Sequence, residues 1–267
     1  MDYHLLSKDL SPRAQARLNA VGVGVAVLCV LALAGVAFGL YRTGELDAAR
    51  WQIFAHLATW KFLSIGLWNT VRVAFADLVF SMVLGAVIAV AQTSRRGVFR
   101  LAGGAYAELF RAVPTLLMIL FCFFGLPLLG LDVTPFWAIV FGSGLYNSAV
   151  LSNIFKSGIQ TVDRGQSEAG YSLGLPRRDV MAGIVWPQAL RRMRPSIVAQ
   201  CVVLFKDSSL GFIIGYEEVL RRSQEIGTFT SSSLQPYFVG GCIYIAVIYL
   251  LRRFTGQGGE RVDELSA

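Results

Sequence analysis

From Ala20 to Tyr41 the sequence carries no charged residue, and about 20 apolar residues are enough for a helix to cross the hydrocarbon core of a bilayer. Lipid offers the backbone no hydrogen-bonding partner, so helices and closed barrels are the structures that can span it. Further apolar runs occupy about Val73 to Gln92, Ala112 to Gly130, Pro135 to Phe155, Pro195 to Gly215 and Pro236 to Leu251. Only 15% of the 267 residues are charged, against about 25% in a soluble domain. Six spans with short connections leave little chain for a separate catalytic domain. The first run is too long for a signal-peptide core and precedes no small-residue cleavage site, so it reads as a retained helix. The expected fold is all-α: a polytopic membrane protein with six transmembrane helices.

The spans are not uniformly apolar. The second holds Asp77, the third holds Pro114 and Pro127, which suggest kinks or an early helix start, and the fourth carries Ser143, Asn147 and Asn153. The fifth is interrupted by Lys206-Asp207-Ser208-Ser209. A Lys or Asp at mid-membrane costs roughly 2.5–3.5 kcal/mol, so Lys206 and Asp207 need a partner span, a bundle interior or a water-filled path. Asn147 either ties two helices together or contacts a solute, and Asp77 should face a neighbouring helix. Cys29, Cys122, Cys201 and Cys242 each stand alone in an apolar run and read as small buried hydrophobes. With only His4 and His56 besides, neither a metal cluster nor a catalytic triad is expected.

Lys and Arg are retained on the cytoplasmic side of a membrane. With the N-terminus inside, the inner segments hold seventeen: Lys8, Arg13, Arg17, Arg95, Arg96, Arg100, Arg111, Lys156, Arg164, Arg177, Arg178, Arg191, Arg192, Arg194, Arg252, Arg253 and Arg261. The outer segments hold five: Arg42, Arg50, Lys61, Arg221 and Arg222. Both termini are therefore expected in the cytoplasm, and the net charge of +7 reads as a topology signal rather than a nucleic-acid surface.

The longest inner connection, Lys156 to Arg194, is too long for a bare turn. Asp163 and the polar residues to Glu168 favour a helix start, and Gly174 is a natural stop. Pro176 opens a second short helix that Trp186-Pro187 ends. Glu108 and Arg111, three apart on one helix face, form a surface pair or, through Arg111, part of the inner mouth of a path. The outer Glu217, Glu218, Arg221, Arg222 and Glu225 read as solvated, in a position suited to an external gate.

Glu168-Ala169-Gly170, then Gly174 after three residues, then after nine more Ile184 and Trp186-Pro187, resembles the EAA signature of membrane subunits of ATP-binding-cassette importers, E-A-A, G and I-x-L-P at the same spacings. Gly170 replaces the third alanine and Trp186 the leucine. Gly66-Leu67-Trp68-Asn69-Thr70, Glu108 to Pro114, Ser157-Gly158-Ile159-Gln160 with Arg164-Gly165-Gln166, and Phe205 to Leu210 resemble the polar amino-acid branch of these permeases. The extra first span, Gly44-Glu45-Leu46-Asp47 and Ile214-Gly215-Tyr216 look most like glutamate-uptake permeases of actinobacteria.

The resemblance implies a type I importer permease, five core helices plus one N-terminal helix. The division would be residues 1–65 as tail, first span and external linker, 66–253 as the permease domain, and 254–267 as a cytosolic tail. The implied partners are two ATPase subunits, a second permease chain, an extracytoplasmic amino-acid-binding protein and membrane lipid. The second permease is an identical copy or, as first expectation, a different homologous chain. The chain has no G-x-x-x-x-G-K-[ST] loop, so ATP and Mg would be held by the ATPases and no cofactor or catalytic residue by this chain. Gln166, Glu168, Ala169, Gly170, Gly174 and Leu175 would form the ATPase-coupling helix. Arg111, Asn147, Lys206, Asp207, Ser208 and Ser209 are the candidates for the substrate path. The rival reading is a stand-alone ion-coupled transporter or channel working through Lys206, Asp207 and Asp77.

Overall fold

The computed structural model describes residues 12–254, and all of its regular structure is helical. His4, Lys8, Arg261 and the C-terminal tail lie outside the described residues. The chain divides into two units, Met1–Ala55 and His56–Ala267.

In the first unit, helix α1 (Pro12–Arg42) exposes every side chain from Leu18 to Gly39. An apolar helix with no buried face is one made for lipid or another span. Cys29 is exposed on it, which corrects the expectation of burial. A left-handed turn at Gly44 follows (φ 70°), and Glu45 pairs with Arg50 at 2.6 Å.

The second unit is built on α2 (Leu57–Gln92) and α5 (Pro135–Gln160). Helix α2 begins 16 positions before the expected Val73. Lys61 and Arg72 depress the hydropathy of its first turns, yet its buried stripe runs unbroken through Thr59, Leu63, Gly66, Thr70, Val73 and Asp77 to Ser81, Gly85 and Ala89. That spacing of three and four is the helical repeat. Apart from Leu63 and Val73 the stripe is small or polar, whereas the opposite face (Phe75, Val79, Val83, Val87 and Val90) is exposed. Lipid is as apolar as leucine, so small residues that let backbones approach mark the packed face of a membrane helix. A methyl at Gly85 would lie 3.0 Å from the Ser148 carbonyl of α5.

Between them lies a bent pair rather than one straight span. Helix α3 (Gly97–Ala112) and the segment of α4 (Thr115–Leu120), continued through a π turn and a 3₁₀ turn to Leu129, meet at 96°. Val113 and Pro114 are extended at the break, because proline disfavours helix in the residue before it. The expected third span, Ala112 to Gly130, is thus the second arm of this pair.

Helix α6 (Arg164–Ser172) begins on Asp163, whose carboxylate accepts the Gly165 N–H at 2.7 Å. It ends at Gly174, whose φ of 77° lets Leu175 N–H reach the Gly170 carbonyl and its own N–H the Tyr171 carbonyl, a Schellman closure. The next helical run is continuous from Arg177 to Ile214, where a break at Trp186-Pro187 was expected. A π turn at Val180–Val185 precedes α7 (Trp186–Asp207), which contains Pro195. Pro187 falls in the first turn of α7, where a missing N–H costs little, and Pro195 is tolerated as prolines in membrane helices are. The run tightens to 3₁₀ at Ser208–Ile214. Helices α8 (Val219–Thr230) and α9 (Leu234–Phe254) complete the unit.

Two apolar clusters hold it together. One gathers Val73, Ile119, Cys122, Ile139 and Ile214, the other Ala89, Leu151, Phe155, Val180 and Met193. Counting the bent pair as one, six helices among the described residues are long and apolar enough to cross a membrane. Cys122 is buried as expected, but Cys201 is only half-buried and Cys242 is exposed on α9.

Candidate functional site

Val73 and Ala89 on α2, and Ile139 and Leu151 on α5, belong to different apolar clusters. Between them the buried residues include Asp77 and Ser81 on α2 and Ser143, Asn147 and Ser148 on α5, so the fold places a polar belt between two apolar layers. Asp77, Ser81, Ser143, Asn147 and Ser148 are each at most 2% exposed. Ser81 donates to the Asp77 carboxylate at 2.8 Å, and Ser143 also faces it. Asn147 donates to the Ser143 hydroxyl at 2.9 Å and accepts from Gln200 of α7 at 2.6 Å. Asn147 therefore ties α5 to α7, and Asp207 lies beside it. Tyr106 of α3 reaches the same belt through Ser148 at 2.9 Å. Satisfied polar groups are the form in which polarity survives inside a membrane bundle.

Next to this belt, the end of α7 turns outward. Lys206 is exposed, Asp207 and Ser209 are half-buried and Ser208 is buried. Ser208 and Ser209 return their hydroxyls to the carbonyls of Phe205 and Lys206, closing the transition to 3₁₀. Among the described residues, neither Lys206 nor Asp207 forms an ion pair with another span.

Arg111 belongs to a second group. Its Nε donates to the Ala107 carbonyl at 3.0 Å, and Glu108 makes no ion pair with it among the described residues. Instead Arg111 lines a cavity of about 660 Å³ together with Tyr146, Asn153, Ser157, Arg192 and Ser196. Among the described residues no acid lines this cavity. Arg192, counted in the sequence only as a topology marker, also donates to the Thr161 carbonyl. Arg192 lies within α7, at a register that a helix ending at Pro187 concealed.

The turn expected on the outer side is tied down, and its Glu218 is not solvated. Glu218 is fully buried; its carboxylate caps α8 by accepting the N–H groups of Leu220 and Arg221, both at 2.7 Å, and Tyr244 of α9 donates to it at 2.6 Å. Burial holds its carboxyl above the ordinary range despite those bonds. Arg222 pairs with Glu217 at 2.5 Å and lies over the Phe62 ring at 4.1 Å. Asn69 donates to the Glu217 carbonyl at 2.9 Å and Tyr216 to the Asn69 carbonyl at 3.0 Å. A methyl at Gly66 would come within 3.2 Å of the Glu218 carbonyl, so the Gly66 to Thr70 stretch is the seat of this turn.

On the arginine-rich face, α6 stands out. Glu168, Ala169, Gly174 and Leu175 are exposed, as are Tyr171 and Leu173. Gln166 is held by Gln188 at 3.1 Å. Gly170 alone of the motif is buried, against Val180 and Ile184. The side chains of those two residues fill the space that a methyl at position 170 would take.

Residues 81–261 match the family of binding-protein-dependent transport system inner membrane components. The chain belongs to this family. As a permease it is 33% identical over 201 residues to the arginine transport system permease protein ArtQ of Bacillus subtilis, covering 75% of this chain and 91% of that one. It is 32% identical over 222 residues to the glutamate transport system permease protein GluD of Corynebacterium glutamicum, covering 82% and 81%. A crystal structure of an amino acid ABC transporter with histidines superposes with a TM-score of 0.71 at 26% identity, over 78% of the permease and 97% of that chain.

Proposed function

We propose that this permease imports a polar amino acid, glutamate as first candidate, as the membrane subunit of an ATP-driven importer. The observation that carries the substrate class is the cavity holding Arg111 and Arg192 with no lining acid, which favours a carboxylate-bearing solute. The relatives named above support amino acids as the class, and the glutamate permease supports the first candidate. Lys206, unpaired with another span and exposed, joins Asp207, Ser208 and Ser209 on the path. Asn147 shapes that path by fixing α5 against α7.

ATP is hydrolysed by two separate subunits. Glu168, Ala169, Gly174 and Leu175 meet them on the exposed face of α6, with Gln166 and Gly170 holding the helix to the run behind it. Closure of the ATPases moves α6 as a lever and shifts the spans between inward- and outward-open states. A second permease chain completes the path, an external binding protein delivers the amino acid, and both termini lie in the cytoplasm. Residues 66–253 form the permease domain.

Purified complex in proteoliposomes, supplied with its binding protein and a panel of amino acids, tests this reading. Glutamate should raise ATP hydrolysis above the basal rate. Stimulation by another amino acid alone would replace the substrate, and no stimulation by any would overturn the proposed class.

A further inference from the structure

A second cavity lies on another face of the same unit, where the end of α2 meets the π turn before α7. It encloses about 760 Å³ and its floor is apolar, formed by Val87, Val90, Met181, Ala182 and Trp186. Its mouth is polar and positive, with Thr93, Ser94, Arg177 and Arg178, and among the described residues no acid lines it. Arg177 and Arg178 are exposed and make no ion pair among the described residues. Arg177 reaches the Thr93 carbonyl at 3.4 Å, which holds its guanidinium over the entrance. Arg95 and Arg96 follow at once on the chain and are also exposed. The π turn, a geometry often found at functional positions, presents Met181 and Ala182 to the cavity while Val180 and Val185 are buried behind it.

We propose that this cavity binds one anionic phospholipid of the leaflet on the arginine-rich side. The acyl chain lies along Val87, Val90, Met181 and Trp186, and the phosphate rests between Arg177 and Arg178. Three observations converge on that occupant. The apolar floor continues the exposed valine face of α2, the face this helix turns to the bilayer. The two arginines stand at one end of the floor only, which matches a molecule with an apolar tail and a charged head. Basic pockets at the ends of membrane helices are recognised sites for acidic headgroups. An occupant here touches both α2 and the segment that leads from α6 into α7, so it would stabilise the junction between the exposed loop and the spans. The inference rests on the membrane-spanning fold and is independent of the substrate proposed above.

Trp186 supplies the test. The intact complex is reconstituted in phosphatidylcholine bilayers containing a small fraction of phosphatidylglycerol or phosphatidylcholine with brominated acyl chains, and the fluorescence of Trp186 is isolated by subtracting that of a Trp186→Phe variant. Brominated phosphatidylglycerol should quench Trp186 more strongly than brominated phosphatidylcholine. The preference should fall roughly thirtyfold in relative association constant, the effect of about two basic groups near an anionic headgroup, in an Arg177→Gln/Arg178→Gln variant. An Arg252→Gln/Arg253→Gln variant, altered at the end of α9, should keep it. Equal quenching by both lipids in the unaltered protein would overturn the proposal. So would quenching by neither, which would place a protein subunit over the cavity. The unaltered protein gives this answer even if the double variant does not assemble.

Discussion

Lys206 lies eight residues before the end of the run Arg177–Ile214, about 15 Å along a helix that tightens to 3₁₀, and among the described residues it forms no ion pair with another span. Placing it against lipid would cost roughly 2.5–3.5 kcal/mol, so a path is the economical reading of its exposure. Lys206→Ala should lower transport roughly tenfold, the loss of about 1.5 kcal/mol from one charged hydrogen bond, while the complex still co-purifies. Dissociation of the complex would make Lys206 a structural residue instead. Glu218 gives a pH test. Its folded carboxyl titrates above its ordinary value, so the folded state binds the proton first and stability rises as pH falls from the folded pKa toward about 4.5. Thermal unfolding in detergent should therefore show the native protein gaining on Glu218→Gln as pH drops through that window; a constant difference would contradict it. The sequence offered no sign of this burial. A glutamate beside two arginines reads as solvated, and only the folded chain shows it capping α8 through the Leu220 and Arg221 N–H groups with Tyr244 of α9 closing over it. Glu168, in contrast, was readable from its neighbours at fixed spacing, because a short exposed helix is defined locally by its cap and its glycine stop.

Helix edges were harder to read than helix centres for a physical reason. Hydropathy detects contact with lipid, and the first turns of α2 extend beyond it while continuing the buried stripe from Thr59 to Thr70. Likewise Pro187 and Pro195 look like breaks from their missing N–H groups, yet a π turn and a membrane helix absorb them. The bend at Pro114 was readable because proline acts on the adjacent residue. Small residues provide a sharper test of the packing. A methyl at Gly142 of α5 would stand 2.6 Å from the Ile119 backbone of α4, whereas at Gly170 it would meet only the side-chain ends of Val180 and Ile184, at 2.8 Å and 3.0 Å. Gly142→Ala should cost about 1–3 kcal/mol through overpacking. Gly170→Ala should be near neutral, since side-chain rearrangement offsets a helix preference of up to about 1 kcal/mol. Denaturant unfolding of both variants in detergent checks the difference; equal effects would show that backbone proximity is not what fixes α4 on α5.

On the coupling proposed above, the exposed α6 and the polar belt would move together. Both are attached to the run Arg177–Ile214, α6 through Gly170 on the π turn and the belt through Gln200. Glu168→Ala should therefore leave the permease inserted while abolishing stimulation of ATP hydrolysis by substrate; stimulation at the native level would remove Glu168 from the coupling. The six-span plan and the family were readable from composition and motif, because both are written in contiguous sequence. The second cavity was not, since it arises where α2 meets the π turn. The most direct measurement is accumulation of labelled glutamate by proteoliposomes with ATP enclosed, binding protein outside and ion gradients collapsed. The account predicts uptake that requires both ATP and binding protein. Uptake driven by an ion gradient without ATP would contradict it and would make Asp77, Lys206 and Asp207 the centre of a secondary transporter.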